Sequence, residues 1–166
     1  MIKQVLFPIL GVMAFIVFVG LFVQKSGTIN FSGFTIATPT PKATVITVNT
    51  KEVQVTLATT KEARIKGLSG VASLDPNSGM LFVFSPKASP IFWMKDMLIP
   101  LDMIWISGNK VIKINKDIPI PQPGTPDNKL STYSPNQPID FVLEVNAGFS
   151  DKNNIKVGDS VNTSSI

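Results

Sequence analysis

Apolar positions follow two regimes along this chain. From Val5 to Val23 they form an unbroken run of 19 residues without a charged or strongly polar side chain. As a helix this run would reach about 28 Å, close to the thickness of a bilayer core. Pro8 falls in its first turn, where the missing N–H is harmless. A cleaved signal peptide would have a shorter apolar stretch and a small-x-small site after it. The run instead ends in Leu21-Phe22-Val23-Gln24-Lys25, and no Cys follows for a lipid anchor. These features predict an uncleaved transmembrane signal anchor over residues 1–24.

From residue 44 the pattern becomes short and strand-like. Val53, Val55 and Leu57 alternate with Gln54 and Thr56, the signature of a half-buried strand. Thr44 to Val48 is β-branched throughout, and Asn49 to Glu52 suits the loop of a hairpin. Met80 to Phe84, Ile91 to Lys95, Leu101 to Ile106, Val111 to Asn115, Phe141 to Val145 and Ser160 to Asn162 read as further strands. Ser107 to Lys110 reads as a turn. Thr59 with Glu62 three residues on forms a capping-box pattern, and Gly67 can end the short helix that follows. A further helical turn is expected after Gly148. Six prolines between Pro119 and Pro138 mark a long loop or an edge. The expected fold is mainly β: a compact β-sandwich or barrel-like domain with one short helix, preceded by a single transmembrane helix.

Composition then sharpens the organisation. The chain has 166 residues and a mean hydropathy of +0.27, high for an ordinary soluble domain and consistent with a segment in lipid. Its net charge of +4 comes largely from Lys3, Lys25 and Lys42, because residues 1–43 hold no acid. Residues 44–166 carry 12 basic and 11 acidic side chains. Lys110, Lys113 and Lys116 form the densest basic group, and on a strand they point to both faces, which suits no phosphate backbone. A nucleic-acid partner is therefore not expected. Gln24 to Ala43, with Thr38-Pro39-Thr40-Pro41, has the composition of a spacer. The organisation read here is an anchor at 1–24, a Thr/Pro-containing linker at 25–43 and an exported β domain at 44–166. The membrane partner is met through residues 5–23, and the globular part lies outside the cytoplasm.

The sequence contains no Cys and no His. Disulfides, thiol nucleophiles, the usual zinc and haem ligand sets, and Ser-His-Asp or Cys-His devices are excluded. No cofactor and no transition-metal site is expected; the remaining oxygen ligands suit magnesium or calcium at best.

Four blocks then carry a resemblance. They are Arg64-Ile65-Lys66-Gly67-Leu68, Gly79-Met80-Leu81-Phe82-Val83-Phe84, the run FWMKDMLIPLDMIWI from Phe92 to Ile106, and VLEVNAG from Val142 to Gly148 with Val157-Gly158-Asp159 after it. Over roughly residues 50–162 the chain resembles the domain of unknown function 192 family. It departs from the usual pattern at Asp96, where the family has Asn, and at Ser69, where it has Met. The resemblance implies a compact, mainly β, sandwich-like domain, often behind an export signal or anchor, and implies no activity.

Charged residues set in apolar stretches are the candidates for chemistry. On Leu101 to Ile106, Asp102 shares a face with Ile104 and Ile106, so it needs a partner, and Lys95 across the hairpin mouth is one choice. Glu144 shares a face with Val142 and reads either as a solvated side chain or as a polar wall of a pocket. Arg64, the only arginine, reads as a helix-end cation or as a clamp on a carboxylate, that of Glu144 or of a ligand. Trp93 and Trp105 read as core or as a binding platform. Tyr133, in the proline-rich loop, is placed to close over a site. Arg64, Trp93, Lys95, Asp102, Trp105, Tyr133 and Glu144 are the candidate ligand-binding residues; no metal ligand is named.

Three functions remain open at this point. The first is a non-enzymatic module binding a ligand or protein partner of the cell envelope. The second is a hydrolase using Asp102 and Glu144 as acid and base on envelope sugars. The third is a purely structural envelope module.

Overall fold

A computed structural model describes residues 44–166. The anchor and linker expected at 1–43 lie outside the described residues. Among the described residues no helix is long and apolar enough to cross a membrane.

The elements are β1 (Thr44–Val48), β2 (Lys51–Ala58), α1 (Lys61–Lys66), β3 (Ser78–Ala88), β4 (Phe92–Trp93), β5 (Leu101–Ser107), β6 (Lys110–Ile118), a 3-10 turn (Asp127–Lys129), β7 (Thr132–Tyr133), β8 (Ile139–Asn146), α2 (Phe149–Lys152) and β9 (Val161–Asn162). Seven strands form one sheet in the order β6-β5-β8-β3-β2-β1-β9. β2 and β3 are parallel, joined by a crossover through α1, and the other neighbours are antiparallel. β4 and β7 make a separate two-stranded ribbon.

The large sheet curls into a half-barrel. β9 pairs with β1, while the residues beside it reach the start of β6: Lys110 lies opposite Ser160, Val111 N–H donates to Asp159 O at 2.9 Å, and Val161 N–H donates to Asn109 O at 2.9 Å. The two ends of the strand order thus meet at one rim. Ile46, Val53, Leu81, Ile104 and Leu143 fill the inside of the curl with Phe149 and Ile155. Phe82, Met103, Trp105 and Val142 project from the other face into a second core, covered by Leu68, Met94 and Met97. Each fully buried large side chain contributes about 1.5–3 kcal/mol by leaving water.

Close approach of β3 to β8 requires Gly79. A Cβ there would meet Glu144 O at 2.5 Å and the Val145 side chain at 2.9 Å, so any side chain would push the strands apart.

Several local expectations are corrected. The helix is capped by Thr60, one residue later than Thr59: Thr60 is extended, and its hydroxyl accepts from Ala63 N–H at 3.1 Å. The strand expected over Ile91 to Lys95 shrinks to Phe92–Trp93, because the segment pairs only with the short β7. The Lys95–Asp102 pair is not formed. Lys95 bonds Asp127 at 2.5 Å, and its ammonium is held above its ordinary pKa first by that hydrogen bond and then by the Asp127 charge.

Asp102 is fully buried and accepts three backbone N–H groups instead: Asp117 at 2.9 Å, Gly148 at 3.2 Å and Ser150 at 2.8 Å. Asp117 sits at φ 50° in the β6 bulge, where Met103 pairs with Asn115 but Leu101 with Ile118. One carboxylate therefore pins the bulge of β6 and the first turn of α2. Asp102→Ala orphans three donors in a dry interior and is expected to lower unfolding free energy by about 3 kcal/mol or more, with Asp102→Asn milder. Urea denaturation at neutral pH measures this; a change of only a few tenths would remove the pinning role.

Candidate functional site

The antiparallel register decides where the two buried acids point. Met103 pairs with Glu144, and Asp102 with Val145. Directly opposed residues share a face, so Glu144 projects outward with Met103 and Met80 while Asp102 projects into the curl. The acid–base pair of the hydrolase reading does not form.

Glu144 lies at the base of a cavity of about 270 Å³ between α1 and the outer face of the sheet. Phe82 and Phe84 line it from β3, Phe92 and Trp93 from the ribbon, and Leu68 and Met97 from the covering loops. Phe92 is the centre of the aromatic wall. It meets Phe82 edge to face at 4.8 Å, Trp105 at 5.5 Å and Phe84 at 6.5 Å between ring centroids. Ile65, Ile91 and Trp93 form an exposed apolar lip. Lys61, Arg64 and Lys66 supply positive charge from α1. Gly67 ends α1 at φ 50°, ψ −137°, beside Phe82, a backbone state that suits glycine.

Glu144 is 4% exposed and has neither a hydrogen-bond nor an ion-pair partner among the described residues. Burial pushes its carboxyl up to about 8, so it is mostly protonated at neutral pH. Arg64 does not reach it as an ion pair. Its Nη1 donates to Thr59 O at 2.7 Å and Val83 O at 3.0 Å, and the guanidinium lies 5.4 Å from the Phe84 ring centroid.

The structure brings Arg64, Trp93 and Glu144 to this cavity. Lys95 stands just outside, 5.8 Å from the Trp93 ring centroid. Trp105 is fully buried behind Phe92, its Nε1–H donating to Asn115 Oδ1 at 2.8 Å. Tyr133 lines a different, smaller cavity of about 210 Å³ under the proline-rich loop, with Met94, Pro119 and Leu130. Asp102 is on the far side of the sheet. Sequence reasoning missed Lys61, Lys66, Ile91 and Met97. The same-face spacing of Phe82 and Phe84 was a usable signal; nothing local marks Ile91 or Met97. Among the described residues no three His, Cys, Asp or Glu side chains gather to hold a metal.

The four sequence blocks singled out above converge here, for Arg64, Phe82, Trp93 and Glu144 come from different ones. The model of DUF192, the domain of unknown function 192 described as "Uncharacterized ACR", matches residues 44–163. The chain belongs to the DUF192 family. No curated protein matches it. Two solved structures share the DUF192 chain's fold. One is a proposed transcription regulator from Sinorhizobium meliloti 1021, with a TM-score of 0.66 and 24% identity, matched over 74% of this chain and 95% of that one. The other is a protein of unknown function from Novosphingobium aromaticivorans DSM 12444, with a TM-score of 0.63 and 28% identity, matched over 70% and 82%.

The pH dependence of stability tests the environment of Glu144. Its folded pKa lies above its ordinary value of 4.5, so the folded state binds more protons between pH 4.5 and about 8. Stability is therefore lost as pH rises through that window. Relative to wild type, Glu144→Gln is expected to gain roughly 2–4 kcal/mol between pH 5 and pH 8, within the limit set by the shift. Urea titrations of both proteins check this; parallel pH profiles would show that the carboxyl is well solvated.

Proposed function

We propose that this chain is a membrane-anchored, extracytoplasmic module of the cell envelope that binds its ligand, without catalysis, in the cavity between α1 and the sheet. The observation that carries the reading is Glu144, a buried carboxyl without a protein partner at the base of an apolar cavity. Its carboxyl faces the cavity and has no protein partner, so a ligand that bonds it supplies an interaction the fold does not. The cavity has the make-up of a small-molecule site: mostly apolar walls and few, convergent polar groups.

The hydrolase reading needs two carboxylates flanking one bond, and the register of β5 against β8 sends Asp102 and Glu144 to opposite faces. A cavity lined from all four sequence blocks favours a binding module over a purely structural one. The near balance of charge over residues 44–166 supports a partner other than nucleic acid. Anchoring through residues 5–23 and export of residues 44–166 rest on the apolar run and the Thr/Pro spacer.

Two measurements test this reading. Protease added to intact cells is expected to remove the domain; full protection would place it inside. In thermal-shift screens of envelope sugars, peptides, small acids and amines, at least one class should raise the melting temperature. Trp93→Ala, at the cavity lip, should abolish that shift while moving the unliganded melting temperature by no more than about 2 °C, as expected of a half-exposed residue. A shift that survives Trp93→Ala, or no shift from any class, would remove the cavity from the proposal.

A further inference from the structure

The charged lining of the cavity is one-sided. Lys61, Arg64 and Lys66 come from α1, and Glu144 is the only acid among the lining residues. The neighbours paired with Glu144 on β3 and β5 are Met80 and Met103, and the segment from Pro90 to Met97 lines the cavity with no titratable side chain. Lys95 and Asp96 of that segment lie outside it, Lys95 being engaged by Asp127.

Arg64 is held as a clamp with nothing in it. Two carbonyls and the face of Phe84 fix its guanidinium, both hydrogen bonds use Nη1, and no carboxylate among the described residues pairs with it. A guanidinium whose orientation is already fixed loses little freedom when it takes up a carboxylate. Glu144, whose burial favours the protonated form, can offer a hydroxyl donor from the base. An amine would meet three cations on the α1 wall. A wholly apolar molecule would leave both Arg64 and Glu144 unanswered.

We infer that the ligand is a carboxylate carried on a compact apolar group, its oxygens taken by Arg64 and Glu144 and its apolar body lying against Phe84, Phe92 and Trp93. This names the ligand class of the cavity and rests on reading that cavity as the binding site. A free aromatic or branched acid and the C-terminal residue of a peptide present the same chemistry.

The test is calorimetry on the full chain in lipid nanodiscs, with 3-phenylpropanoate, 3-phenylpropanamide, 2-phenylethylamine and an acetylated dipeptide ending in Phe, as free acid and as amide. The acid forms are expected to bind at least about tenfold more tightly than the amides, since the amide forfeits the charge-assisted bonds. Acid affinity should fall by about tenfold or more from pH 6.5 to pH 9, as Glu144 ionises and repels the anion. Glu144→Gln keeps a neutral donor and should bind the acid with a flat pH profile. Arg64→Gln should weaken the acid by about tenfold or more; if that variant does not fold, the amide comparison and the pH profile decide. The tighter of free acid and peptide acid identifies the source.

Amides binding as well as acids, affinity rising with pH, or a preference for the amine would overturn the inference. If such binding is abolished by Trp93→Ala, the cavity stands as a site and only the ligand class fails. If no probe binds, the class fails, and the wider thermal-shift screen decides the cavity itself.

Discussion

Burial of the central strands on both faces is the constraint from which the rest of this domain follows. β5 has six consecutive residues buried, Leu101 to Ile106, and β8 has four, Val142 to Val145. The inside of the curl offers no water to a polar side chain there, and the outer face does so only where its cover leaves a gap. An acid in these strands must be satisfied by the protein, stay protonated, or face a gap in the covering layer. Asp102 takes the first course and Glu144 the other two. The same sheet, with opposite answers on its two faces, separates a structural carboxylate from a candidate binding one.

The difference arises from what covers each face. Inside the curl the strands themselves close around the core, and Phe149 and Ile155 plug it. Outside, the only other sheet among the described residues is the β4–β7 ribbon of two short strands. The cover is assembled from a six-residue helix, a two-stranded ribbon and loops. Small covering pieces tile a sheet imperfectly, and the gap between α1 and the Phe92 ribbon falls over Glu144. Behind the gap, the fully buried Trp105 meets Phe92 edge to face at 5.5 Å between ring centroids.

Much of this was legible in the residues. Period-two alternation gave the faces of β2, β5 and β8, because side chains on a strand have no other way to point. The alternation alone thus sets Asp102 beside Ile104 and Glu144 beside Val142. Which strands would be neighbours was not legible. The β5–β8 register depends on long-range pairing, and without it nothing says that Asp102 and Glu144 face apart. Lys95 illustrates the same gap: its partner Asp127 is 32 residues away, inside the proline-rich loop. The cap moved from Thr59 to Thr60 because both can serve, and only backbone dihedrals choose between them. The four blocks that line the cavity were each visible; their convergence was a property of the fold.

The closing seam of the half-barrel bears on the order in which the domain can be completed. Residues 158–162 bridge β1, the first strand, and β6, and they are the last of the described sheet to be synthesised. Until they arrive, β1 and β6 each expose an unpaired edge, and the inner core is open along one side. Contacts between residues so far apart in sequence form late and slowly. The half-barrel can therefore close only once residues 158–162 have been made, so its seam is the last part of the described sheet able to form.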